Sequence, residues 1–297
     1  MDIERGAEEI IKGIERALAR NEGFFVGRNG TIELETLLFK FYQAKPGESY
    51  SEGIRRRMEL NAGVFPPTQT SLDRWVFMMM EAIRNCDILV AGWYQPLAIQ
   101  EESLLDNTNK YAPRIPLRSL EPYYVEPSKR WTKLLEGHKV AVVSSFTKTI
   151  LSQLSKKDEI WPVATESLLP NNVEWIPVQT GYSPALAEGS AGWPSDIQSW
   201  DVAVNYVVKQ VKQSGARIAL VACGGLGMVI GSELRKQGVV VIVLGGALQV
   251  LFGIKGKRWA THSVIQHFWN DAWVYPREDE TPNGAWRIEN GCYWGKI

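Results

Sequence analysis

Residues 244–259 gather four glycines and three cations in one short stretch: Gly245, Gly246, Gly253 and Gly256 with Lys255, Lys257 and Arg258. The stretch follows an apolar run, residues 239–244, that reads as a buried strand. Glycine lets a backbone come close to a ligand, and Lys and Arg bring charge and forked donors. Together they suit an anion such as a phosphate. They equally suit a strand-end turn followed by a solvated basic loop, and residue types alone leave both open.

A second glycine cluster, Gly224, Gly225 and Gly227 beside Cys223, follows the apolar run 217–222. With Gly231 it loosely matches a dinucleotide fingerprint. That fingerprint wants an acidic residue at the end of the next strand, where this chain has Leu244, Gly245 and Gly246. A nicotinamide-dependent oxidoreductase is therefore the weakest alternative. There is no GxxxxGK[ST] phosphate loop and no GxSxG elbow. His262 and His267 are five apart, poor spacing for one helix face, and no HExxH occurs, so a histidine metal site is not expected. Carboxylates remain. Glu33 stands at the start of a helix, just after a short strand and the turn Arg28, Asn29, Gly30. It could serve chemistry or simply complement the helix dipole. Asp87, Asp201, Asp271 and Glu289 are lesser candidates.

Composition narrows the partners. Lys plus Arg and Asp plus Glu number 33 each, so formal net charge is zero over 297 residues. A nucleic-acid or anionic-membrane partner would call for a basic excess. Cys86, Cys223 and Cys292 are far apart, which argues against a disulfide framework and for a reducing compartment. The N-terminus is charged, and no apolar segment approaches the ~18 residues of a membrane span. A soluble cytoplasmic protein is expected.

The elements that must position these residues alternate. Helical periodicity covers residues 3–20 and 32–42, and again 71–85, with Ser71 as the expected cap. Strands are expected at 23–27, 86–93, 139–144, 173–178, 217–222 and 239–244, with helices at 146–154, 195–213 and 228–237. The polar stretch 101–118, with Pro113 and Pro116, is the best candidate boundary. It divides the chain into an N-terminal α/β half, 1–120, and a C-terminal Rossmann-like half, 121–297, or marks a bend within one continuous domain. The fold class is α/β, a Rossmann-like and mostly parallel sheet with helices on both faces. In such sheets ligands bind at the carboxyl ends of strands, where residues 144–146, 223–227 and 245–246 all fall.

Residues 27–33, 61–66, 140–146, 223–227 and 245–259, continuing to 289–294, resemble a family of polysaccharide-biosynthesis-associated proteins of bacteria and large viruses. The likeness covers almost the whole chain. More remotely, the chain is similar to GT-D-type glycosyltransferases, which carry an Arg-x-Gly-Asp-x-Glu turn. Arg28, Gly30 and Glu33 match that turn, and Thr31 stands where the Asp would be. The resemblance implies a GT-D-like fold and transfer of a sugar from a nucleotide diphosphate donor, a UDP-sugar, to a glycan acceptor. It implies catalytic roles for Arg28 and Glu33, and a divalent cation, Mn2+ or Mg2+, at Glu33. The implied nucleotide contacts are Asn61, Gly224, Gly225, Gly227 and Gln249, with the cations Lys255, Lys257 and Arg258. Thr31 is a weaker metal ligand than a carboxylate. That departure supports the alternative of a non-catalytic nucleotide- or glycan-binding scaffold of the same fold. The implied partners are a nucleotide-sugar donor and a glycan acceptor, with no nucleic acid and no membrane span; a homo-oligomer is compatible.

Overall fold

A computed structural model describes residues 2–162 and 168–295. Seven strands form one all-parallel sheet: β1 (Phe24–Arg28), β2 (Ile88–Val90), β3 (Arg114–Ile115), β4 (Lys139–Ser144), β5 (Glu174–Gln179), β6 (Ile218–Val221) and β7 (Val240–Val243), in the order β3-β2-β1-β7-β6-β4-β5. The fold is α/β and Rossmann-like, as its alternating elements predict.

The sequence of β6 and β7 shows why they sit centrally. Both are continuous runs of Ile, Ala, Leu and Val with every residue buried, the pattern of strands covered on both faces. Successive side chains enter opposite cores. Phe25, Leu89, Val143, Val221 and Val241 join one core. It is covered by helices Thr31–Leu38, Gln69–Arg84, Trp200–Ser214 and Gly227–Lys236. Phe24, Val26, Ile88, Val142, Leu220 and Ile242 join the other, under helices Ile3–Arg20, Thr147–Leu154 and Ala247–Leu251.

Several local features differ from the sequence reading; the helix expected from residue 195 begins at Trp200, and the strand expected over 86–93 is confined to Ile88–Val90. The polar stretch begins as a helix, Ala98–Asn109, and ends in the two-residue β3. Its apolar stripe is too thin to announce itself, since only Leu104, Leu105 and Glu101 are buried on that helix. Helix Gln69–Arg84 is capped by Thr68, whose hydroxyl accepts from the Ser71 N–H. The helix expected to reach residue 42 ends at Leu38 and continues as a π turn, Phe39–Gln43.

Near residue 120 the chain leaves β3 at one sheet edge and re-enters at β4, near the other. The two sides of that crossing share the sheet, because β1 pairs with β7. Side chains join them as well. Trp75 Nε1 donates to the Gly225 carbonyl at 2.9 Å, and the Arg235 guanidinium grips Asp87 through two 2.7 Å bonds. Beyond the crossing, β4 leads outward to β5 while β6 leads back toward β7. The loops after β4 and β6 therefore diverge and leave a crevice at the carboxyl ends. Among the described residues no helix is long and apolar enough to cross a membrane.

Candidate functional site

A cavity of about 410 Å³ occupies that crevice. Arg28 and Glu33 enter it after β1, and Trp93 after β2. The loops after β4, β5, β6 and β7 contribute Ser145, Ser183, Gly224 and Gly245. Arg258, Glu289 and Tyr293 close it from the C-terminal segment, and Glu121 reaches it from the β3–β4 connection.

Arg28 is positioned from three sides. It is the last residue of β1. Its guanidinium lies over the Trp93 ring, 5.4 Å from the centroid, a cation–π contact. Its edge packs on Gly245, where an added Cβ would stand 2.3 Å from Nη2. Gly245 also has φ +56°, a conformation that glycine adopts without penalty. Trp93 is held in turn by donating to the Asn29 carbonyl at 3.2 Å. Behind it, the buried Glu101 accepts from Asn29 Nδ2 and from the Gly92 N–H, each at 3.0 Å. One carboxylate thus ties the turn after β1 to the turn after β2. Burial raises the Glu101 carboxyl, and these two bonds oppose the rise. Among the described residues no side chain or carbonyl hydrogen-bonds the Arg28 guanidinium, so its fork of donors is oriented and open to the cavity.

Two carboxyls flank this arginine electrostatically. Glu33 lies in the first turn of helix Thr31–Leu38, whose N-cap, Gly30, has no side chain to offer. The Glu33 carboxyl folds back onto Gly30, where an added Cβ would lie 2.1 Å from Oε2, and accepts its own backbone N–H. Gly225 bounds it on another side, with Oε1 3.3 Å from the corresponding point. Burial raises the Glu33 carboxyl, while its own N–H and the charge of Arg28 pull it down. Burial likewise pushes Glu121 up to about 7, against Arg28, the Tyr123 phenol and Arg118. Carboxyls raised by burial beside a cation are suited to proton exchange.

The structure brings Arg28, Glu33, Asn61, Gly224, Gly225, Gln249 and Arg258 to the cavity wall. Gly227, Lys255 and Lys257 are not part of that wall. Gly227 begins a helix and donates its N–H to the Gly224 carbonyl. The Lys257 ammonium donates to the Asn290 carbonyl at 3.2 Å, and that of Lys255 lies over the Trp269 ring. The basic cluster thus divides, because side chains close in sequence leave a loop in different directions. Only Arg258 faces the cavity, over the Tyr293 ring at 4.5 Å and donating to Glu289 at 3.1 Å. The turn after β6 also departs from an open phosphate loop. Its Gly225 N–H is taken by the Ala62 carbonyl at 2.8 Å. Gln249 plays a structural part. Its amide donates to the Lys255 and Tyr293 carbonyls and pins the basic loop to the C-terminal segment.

Glu121 and Trp93 escaped the sequence reading. The available signal for Glu121 was a lone carboxylate between Leu120 and Pro122, Tyr123 and Tyr124, an apolar setting that desolvates it. A divalent-ion site fits poorly. Among the described residues no three His, Cys, Asp or Glu side chains gather to hold a metal. Thr31 offers a hydroxyl, a weaker ligand than a carboxylate, and Glu33 and Glu121 both face the charge of Arg28. In comparisons with known proteins, no family model, no curated protein and no solved structure matches the chain.

Proposed function

We propose that the protein is a glycosyltransferase moving a sugar from a nucleotide diphosphate donor, a UDP-sugar, to a glycan hydroxyl. The observation that carries this reading is Arg28, held on Trp93 and Gly245 with its donors open beside two raised carboxyls. As the bond from the anomeric carbon to the diphosphate breaks, its electron pair leaves on the diphosphate oxygen. Arg28 and Arg258 stabilise that charge from the cavity wall. The acceptor hydroxyl attacks the same carbon and gives its proton to a cavity carboxylate. Positive charge at the diphosphate comes from arginine, and no step runs through a divalent ion.

One observation favours a second reading, a nucleotide-binding scaffold without turnover. Glu33 is turned onto its own helix, and Thr31 stands beside it in place of a second carboxylate. Release of UDP from UDP-glucose, UDP-galactose and UDP-N-acetylglucosamine separates the two. The transferase reading expects release above background that Arg28→Ala abolishes. Binding of UDP without release supports the scaffold, and neither binding nor release overturns both.

A further inference from the structure

We infer that Glu121 is the carboxyl that exchanges a proton with the acceptor hydroxyl, and that Glu33 is a positioning residue for the turn after β1. This rests on the transferase reading of the same cavity.

The two carboxyls differ in how they are held. Glu33 is only 8% exposed, folded against Gly30 and bounded by Gly225, with its own N–H as hydrogen-bond donor. A carboxylate so enclosed stiffens the helix start on which Arg28 and Gly30 depend, and leaves little room for an approaching hydroxyl. Glu121 is less enclosed and comes from a different element. It lies on the short connection between helix Leu117–Leu120 and the turn Pro122–Tyr124. Two hydrogen bonds pin that connection. The Tyr124 N–H donates to the Glu121 carbonyl at 2.9 Å, and the buried Trp131 Nε1 donates to the Leu120 carbonyl at 3.1 Å. No basic side chain among the described residues forms a close ion pair with Glu121. The charged and titratable groups facing it are Arg28, Arg118, Tyr123 and Tyr124. Glu121 and Arg28 thus line one cavity, a base and a cation with no direct ion pair between them among the described residues.

The step balances. The acceptor oxygen forms its bond to the anomeric carbon and the bond to the diphosphate breaks, its electron pair leaving with the diphosphate. The hydroxyl proton passes to the Glu121 carboxylate, which later releases it to water.

Two measurements on the full chain decide this. The first needs no nucleotide. In carbon-13 spectra of protein labelled at the glutamate carboxyls, one signal should titrate near neutrality and vanish in Glu121→Gln. A vanished signal that titrates in the ordinary carboxylate range overturns the inference. The second uses UDP-glucose as donor. Glu121→Gln should lower kcat about 100-fold with KM little changed and remove the acid limb of the pH profile. Glu121→Asp should restore part of that rate. Glu33→Gln should keep the acid limb while raising KM. Loss of the acid limb in Glu33→Gln but not in Glu121→Gln overturns the assignment. If wild-type protein binds UDP and releases none from any donor, the transferase reading falls, and with it the acceptor hydroxyl as the proton's source. The labelled spectra would then still decide whether Glu121 carries a proton near neutral pH.

Discussion

Arg28 is set apart from the other basic residues by what surrounds it rather than by its charge. Its plane rests on Trp93 and its edge on Gly245, while Lys255 lies over Trp269 and Lys257 is tied to a carbonyl. A lysine cannot reproduce a stacked, forked donor. Arg28→Lys is therefore expected to weaken UDP binding about tenfold despite keeping the charge, a loss of about 1.4 kcal/mol by calorimetry. Lys255→Ala and Lys257→Ala should leave affinity within about twofold, as side chains outside the wall. Glu121 yields a stability test. Its carboxyl has an ordinary value of 4.5 and rises to about 7 in the fold. Below the ordinary value both folded and unfolded chains hold the proton, and the group costs nothing. Between the two values the unfolded chain ionises first, so stability falls as pH rises and the loss is complete above the folded value. Glu121→Gln should match wild type at about pH 4 and exceed it by about 3 kcal/mol at about pH 8 in urea unfolding. At this scale the sequence already marked Glu33, because a strand, a glycine turn and a helix start are local, and Arg28 through the resemblance of that turn. Glu121 was hidden, because desolvation depends on what distant residues bring to it.

The strand ends and their turns convert this residue chemistry into a site. Gly245 is required twice, by its φ of +56° and by the guanidinium against it. Gly245→Ala should cost about 1–2 kcal/mol of stability from backbone strain and displace Arg28 from its ledge. Glu101 acts at the same level. Removing its carboxylate leaves Asn29 Nδ2 and the Gly92 N–H without their acceptor. Glu101→Ala should lower stability by about 2–3 kcal/mol and weaken UDP binding through the loosened turn, although Glu101 is not part of the cavity wall. The elements readable from sequence were those with strong local signals. β4, β6 and β7 are nearly unbroken apolar runs, and helix Ile3–Arg20 has a clear stripe. β3 is two residues long, and helix Ala98–Asn109 buries a glutamate among few apolar side chains. Both are specified mainly by the neighbours they pack on, so their own sequences say little.

At the scale of the whole chain, the two sides of the crossing near residue 120 depend on each other. β1 is sandwiched between β2 and β7, and the Ala62 carbonyl closes the glycine turn after β6. Residues 1–120 and 121–297 expressed separately are each expected to lack a cooperative thermal transition, since each would expose a hydrogen-bonding strand edge and an apolar face. The site has the same origin: Arg28 and Glu33 come from one side of the crossing, Gly245 and Arg258 from the other. The sequence suggested the carboxyl-end location but not the closure of the glycine turn, because that contact joins residues far apart in the chain. The most direct test of the central claim is calorimetric titration of UDP into wild-type protein and Arg28→Ala, with and without Mn2+. The account predicts saturable binding by wild type that persists without Mn2+ and falls at least tenfold in the variant. Equal binding by both proteins, or no binding by either, would contradict it.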